Sequence, residues 1–120
     1  MIDHLSLRVT DLKKSKTFYE RALAPLGYKA VMEFPGAIGF GADGKPDFWV
    51  TASATTTPTH VAFRVKSRKI VHAFHEAAIA AGGKDNGPPG LRKEYHEHYY
   101  GAFVYDPDGH NIEAVIHAPE

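Results

Sequence analysis

The first residues alternate. His4, Ser6 and Arg8 fall on one side of an extended segment and Leu5, Leu7 and Val9 on the other, the pattern of a strand with one face covered. Residues 60–65 repeat it, with His60, Ala62 and Arg64 set against Val61, Phe63 and Val65. The period then lengthens. Thr10 and Asp11 can open a helix in which Leu12, Phe18 or Tyr19, Ala22, Leu23 and Leu26 recur at helical spacing, with Pro25 and Gly27 ending it. Ser67 opens the second helix, whose apolar stripe is Ile70, Val71, Phe74, Ala77, Ala78 and Ala81 and whose stop is Gly82-Gly83. Short extended pieces follow each helix, at 28–34, 37–41 and 47–53 and again at 101–105 and 111–116. Turn chemistry separates them at Pro35-Gly36, at Asp43-Gly44-Lys45-Pro46 and at Asp106-Pro107-Asp108-Gly109. Asn86–Gly90, with its two prolines, reads as a loop.

The two halves are related by more than pattern. A shift of 56 residues superposes His4 on His60, Arg8 on Arg64, Val9 on Val65, Phe18 on Phe74 and Gly27 on Gly83. It gives nine identities over positions 4–27, where unrelated segments would give about one or two. A tandem unit of strand, helix and two or three strands follows. The predicted organisation is one α+β domain over 1–120: a first module at about 1–53, a link at 54–59 and a second module at about 60–120. Each copy is too small to bury an adequate core alone, so the two are expected to share one.

Composition narrows the partners. Fourteen basic residues balance fourteen acidic ones, which leaves no electrostatic footprint for nucleic acid or an anionic membrane and favours a small-molecule partner. Cysteine is absent, so disulfides, thiolate metal sites and cysteine nucleophiles are excluded. The start lacks a basic-then-apolar signal segment, and no apolar run reaches the roughly 20 residues of a membrane span; a cytoplasmic protein is the expectation.

Chemistry gathers where the repeat and the last strand meet. If the two opening strands occupy equivalent places in one curved sheet, His4 and His60 face a common space. Glu113 stands alone among Ile112, Ala114 and Ile116, and a buried carboxylate is costly unless it is paired or bound to a metal. Two imidazoles and one carboxylate form a facial triad with positions left open for water and substrate. Each histidine taken alone reads first as a hydrogen-bonded strand residue; the equivalent positions in the repeat, with the lone acid, raise the metal reading beside it. Arg64 and Arg8 share the polar faces and could hold a substrate anion or an ion pair within the sheet, the second being favoured. Tyr95, His96, Glu97, His98, Tyr99 and Tyr100 form either a lid carrying acid–base groups or an exposed aromatic edge. Trp49, Phe40, Phe48 and Met32 are read as lining the cup or as core. His72, His75 and His110 are read as surface residues.

The paired His-x-x-x-Arg-Val openings, Phe18-Tyr19, and the run Phe103-Val104-Tyr105-Asp106-Pro107-Asp108-Gly109-His110-Asn111-Ile112-Glu113 together resemble the vicinal oxygen chelate superfamily over essentially the whole chain. Its members include glyoxalase I, extradiol dioxygenases, fosfomycin-modifying enzymes and bleomycin-binding proteins. The resemblance implies two βαβββ modules forming a cupped, mostly antiparallel sheet with helices outside. It also implies a divalent ion (iron, manganese, nickel or zinc) held by His4, His60 and Glu113, and modules that pair across subunits, so that a homodimer is consistent with it. Substrate contacts then fall to Ser6, Phe48, Trp49, Arg64 and Phe103, and proton transfer to Tyr100 or His98. Three departures bear on the reaction. Aligning Asp43-Gly44 with Asp108-Gly109 puts Phe48 opposite Glu113, or Trp49 if a small gap intervenes, so the fourth ligand of glyoxalase I has no carboxylate here. Phe103 stands where dioxygenases carry tyrosine, with Tyr95, Tyr99, Tyr100, His96 and His98 as nearby substitutes. Arg92–His98 replaces the cation-binding serine loop of the fosfomycin enzymes. The expectation is a metal-dependent enzyme acting on neighbouring substrate oxygens. The competing class is a binding protein that sequesters an aromatic or drug-like ligand without turnover.

Overall fold

The computed structural model describes residues 1–120. Its elements run β1 (Leu5–Val9), α1 (Leu12–Ala22), a 3-10 turn (Ala24–Leu26), β2 (Lys29–Phe34), β3 (Ala37–Gly41) and β4 (Phe48–Ala52). Then come β5 (His60–Arg64), α2 (Arg68–Ala80), β6 (Lys84–Leu91), β7 (Tyr100–Tyr105) and β8 (Asn111–Ile116). This is βαβββ twice, in two four-stranded sheets ordered β1-β4-β3-β2 and β5-β8-β7-β6. In each sheet the opening strand lies parallel to the last strand of its own module, and the remaining neighbours are antiparallel.

Local chemistry accounts for the helix ends. The Asp11 side chain accepts the Lys14 N–H and Ser67 accepts the Ile70 N–H, so each helix starts on a capping oxygen. Gly27, at φ +82°, closes the turn after α1, a left-handed conformation that a side chain would strain.

The apolar faces of the sheets meet the helices. Leu7, Val9, Phe18, Tyr19, Phe40, Phe48, Val50, Val61, Phe63, Val71, Phe74, Val104 and Ile112 belong to one buried cluster drawn from both modules. Aromatic rings join the halves: Phe48 meets Phe63 at 5.2 Å between centroids and Tyr28 meets Phe63 at 5.7 Å, while Tyr19 packs on Phe48 at 5.0 Å within the first module. Such edge-on pairs add roughly 0.5–1.5 kcal/mol each beyond the area they bury.

Two expectations fail here. The segment read as a loop at Asn86–Gly90 lies inside β6, the outer strand of its sheet, and its pairing with β7 shifts register at Asp85/Gly87 and Gly87/Gly90. An edge position tolerates Pro88 and Pro89 because a missing N–H there need not break the ladder. His110 is not a surface residue but fully buried.

Candidate functional site

Strand alternation puts the polar positions of β5 and β8 on the face of their sheet that no helix covers. Ala62 pairs with Glu113 and His60 with Asn111. Glu113 is nevertheless 0% exposed, because neighbouring groups close over it. His60 Nε2 lies 2.8 Å from Glu113 Oε1. The Tyr99 hydroxyl donates to the other carboxylate oxygen. A Cβ on Gly101 would meet Glu113 Oε2 and the Tyr99 ring at 3.3 Å each, so glycine leaves the space this contact needs. Phe103 flanks His60 at 6.2 Å between ring centroids, and Arg92 sits over the far ring at 5.5 Å. Burial first, and then the hydrogen bond to Glu113, push the Tyr99 phenol well above its ordinary value, so it remains a proton donor at neutral pH.

Tyr99 is the residue that sequence reasoning placed only among several substitutes. Tyr100, the one preferred for proton transfer, points the other way. It precedes Gly101 and Ala102 in β7 and turns toward α2, where its hydroxyl meets His72 Nε2 at 2.7 Å and Arg68 lies 4.5 Å over its ring. Adjacent strand residues face opposite sides, so a one-residue difference decides which tyrosine reaches the carboxylate. His98 contacts Glu97 and His96 rather than Glu113. His117 completes an aromatic edge with His96 and Tyr99 at 5.6 and 5.1 Å.

The first module presents a different half. His4 is exposed, its Nδ1 2.6 Å from Asp3 Oδ1, and it lines a cavity of about 740 Å³ with Ser6, Tyr28, Met32, Lys45 and Trp49. Trp49 stacks on the exposed Phe34 at 6.0 Å and 17°. Register resolves the alignment of the modules. Ser6 pairs with Trp49 as Ala62 pairs with Glu113, so Trp49 occupies in the first module the place of the glutamate. Phe48 corresponds to Ile112 and is 1% exposed in the core, not in the cup as a substrate contact would require; Phe40 is likewise core. Arg8 and Arg64 are exposed and neither takes part in an ion pair, against the expected pair within the sheet.

A single chain therefore holds His60 and Glu113 together and His4 apart from them. The one group of three residues whose ligand atoms lie within 4.8 Å of one another is Asp106, Asp108 and His110. Those atoms are already engaged. Asp106 accepts from Tyr19 at 2.5 Å, from the Asp108 N–H and from the His110 N–H. Asp108 accepts from both the N–H and the hydroxyl of Thr10, and His110 Nδ1 accepts from the Thr59 N–H. A cation at this turn would displace hydrogen bonds that connect the modules. The donor set at Glu113 suits a divalent ion better: a desolvated carboxylate beside an imidazole whose shared proton an ion can replace.

The Glyoxalase/Bleomycin resistance protein/Dioxygenase superfamily model matches residues 1–114. Among solved structures, a glyoxalase/bleomycin resistance protein from Albidiferax ferrireducens T118 is 29% identical, covers 95% of this chain and 97% of its own, and superposes with a TM-score of 0.83. A glyoxalase-related enzyme from Fulvimarina pelagi is 22% identical over 97% of this chain and 87% of its own, with a TM-score of 0.73. The fosfomycin resistance protein FosX from Listeria monocytogenes is 20% identical over 98% and 93%, with a TM-score of 0.74. No curated protein matches the chain in sequence. No helix is long and apolar enough to cross a membrane.

Proposed function

The chain belongs to the Glyoxalase/Bleomycin resistance protein/Dioxygenase superfamily, and we propose that it is a metal-dependent enzyme acting on a small molecule that chelates a divalent ion through neighbouring oxygens. His60 and Glu113 of one chain hold the ion, and His4 comes from a second copy in a homodimer. One observation carries the reading: Glu113 is wholly buried on the helix-free face of its sheet, in direct contact with His60 and Tyr99. Sheet stability alone does not call for a carboxylate there, since burial of an ionised group opposes folding unless its partners compensate.

The bound ion supplies Lewis acidity toward the paired substrate oxygens. Tyr99, neutral at physiological pH, donates a hydrogen bond to Glu113 and fixes its orientation, the kind of support that ligating carboxylates require. Phe103 and Arg92 form the wall beside His60, and Ser6 with Trp49 supplies the wall that the first module contributes. The second copy follows from the separation of His4 within one chain together with the exact correspondence of Ser6–Trp49 to Ala62–Glu113, which makes each module half of a site.

Metal analysis of the purified protein is the test. The wild type is expected to take up one Ni²⁺, Mn²⁺ or Zn²⁺ per chain and His60→Ala to lose it while remaining folded; retention of the ion by His60→Ala refutes the assignment. The second reading, a binding protein without turnover, draws on the Trp49–Phe34 stack at the 740 Å³ cavity. Quenching of Trp49 by aromatic ligands that is unchanged by metal removal would favour it.

A further inference from the structure

His110 is the one fully buried imidazole in the chain, and the chemistry proposed above does not use it. Its two ring nitrogens have different tasks. Nδ1, 3.0 Å from the Thr59 nitrogen, accepts that N–H, so in the neutral ring the proton resides on Nε2. Nε2 lies 2.8 Å from the Arg8 carbonyl oxygen and donates to it. Thr56 donates to the same carbonyl at 2.8 Å. The ring thus spans β1, the link and the entrance to β5.

Its place in the backbone is fixed from the other side. The His110 N–H donates to Asp106 Oδ1 at 2.9 Å, and Asp106 in turn accepts from Tyr19. The Asn111 N–H donates to the Thr59 carbonyl at 2.9 Å. Both backbone polar groups of Thr59, the residue directly before His60, are therefore set by the segment that leads into β8 and Glu113. Thr59 precedes the first ladder residue of an edge strand, where no sheet neighbour supplies an acceptor for its N–H. Without His110 that group would turn to solvent and the start of β5 would be free to shift.

We propose that His110 is a positioning residue: through its Nδ1 hold on Thr59 it sets where the His60 imidazole meets Glu113, while its Nε2 bond to Arg8 joins the modules. The inference rests on the metal-site reading only for the affinity it affects. The geometric claim stands on the metal-free chain.

The two nitrogens can be separated by substitution. Asn carries its amide oxygen on Cγ, where Nδ1 is attached, and so keeps the acceptor for Thr59. Gln carries its amide nitrogen farther out, near Nε2, and keeps the donor for Arg8. Leu keeps neither. The experiment measures Ni²⁺ affinity by calorimetry, side-chain ¹⁵N shifts of His60 in the metal-free protein, and thermal stability, for His110→Asn, His110→Gln and His110→Leu. All three are expected to melt below wild type. His110→Asn should hold Ni²⁺ within about threefold of wild type, whereas His110→Gln and His110→Leu should weaken it by roughly 10–100-fold, as loss of a supporting contact does. The His60 ¹⁵N shifts should stay at wild-type values in His110→Asn and move in the other two. Equal effects in the Asn and Gln variants, or wild-type affinity and shifts in His110→Leu, overturn the proposal. Should His110→Leu fail to fold, the Asn and Gln pair decides. If the wild type binds no Ni²⁺, the metal reading falls and the His60 shifts alone decide the positioning claim.

Discussion

Tyr19→Phe removes one oxygen and leaves the ring. Tyr19 is 0% exposed and its hydroxyl donates to Asp106 Oδ2 at 2.5 Å, so the substitution deprives a buried carboxylate of a donor while the edge-on packing against Phe18 and Phe48 survives. A hydrogen bond to a charged group contributes about 1.5–3 kcal/mol. For a chain of this length each kcal/mol shifts the melting temperature by roughly 3–6 °C, so a fall of about 5–18 °C is expected. Tyr28→Phe is the control. Tyr28 donates to Asp47 at 2.8 Å, but Asp47 is exposed and water can replace the donor, so its loss should cost less than about 1 kcal/mol. Burial, followed by the neighbouring Asp106 charge, raises the Tyr19 phenol well above its ordinary 10.0. A raised value in the folded state means that the stabilisation is fully present below pH 10 and declines as pH rises further, while the unfolded chain releases the proton first. Differential scanning calorimetry from pH 7 to pH 11 reads both effects. Equal melting temperatures for Tyr19→Phe and Tyr28→Phe would refute the claim that the Asp106–His110 turn is a buried clamp between modules.

Other outcomes follow from the same geometry. Tyr99→Phe should retain the bound metal, read by elemental analysis, yet lose at least about tenfold in turnover of any substrate found, because Glu113 keeps its place in the sheet but loses the donor that orients it. Tyr100→Phe should leave turnover within about twofold, since that hydroxyl serves His72 on the helix side. His75 holds the Asp85 carboxyl below its ordinary 3.8, chiefly through their hydrogen bond. In His75→Ala, NMR titration should find Asp85 closer to that value, and the stability that the pair adds, present above pH 3.8, should vanish as pH falls through the depressed value. Phe34→Ala uncovers the single tryptophan, so emission from Trp49 should shift to longer wavelength; an unchanged spectrum would contradict the stack.

Much of the architecture was legible because the repeat and the two periods agree. The opening strands, both capped helices and the turns at Pro35-Gly36 and Asp106–Gly109 follow from spacing and residue type. β6 was not legible, since Pro88, Pro89 and two register shifts disguise a strand whose only evidence is the neighbour it pairs with. His110 resists sequence reading for a related reason. A histidine beside Asp-Gly in a turn signals solvent, and only the packing of the turn against β1 and the link buries it. At the site, the isolation of Glu113 among apolar residues was the informative signal, and its burial beside His60 agrees with it. The choice between Tyr99 and Tyr100 depends on where β7 begins, and strand ends are the positions that periodicity defines least well. The alignment of Phe48 with Glu113 failed by one residue for the same kind of reason: turn lengths differ between modules, and the ladder register gives Trp49 instead.

The central claim is that His60 and Glu113 of one chain and His4 of another hold a single ion. Two variants, His4→Ala and His60→Ala, each expected to bind no metal alone, can be unfolded together, refolded as a mixture and assayed for bound Ni²⁺. Half of the dimers should then be mixed, and each mixed dimer should contain one intact set of ligands, so about a quarter of the wild-type metal content is expected. A mixture that binds no more metal than either variant alone would contradict the account.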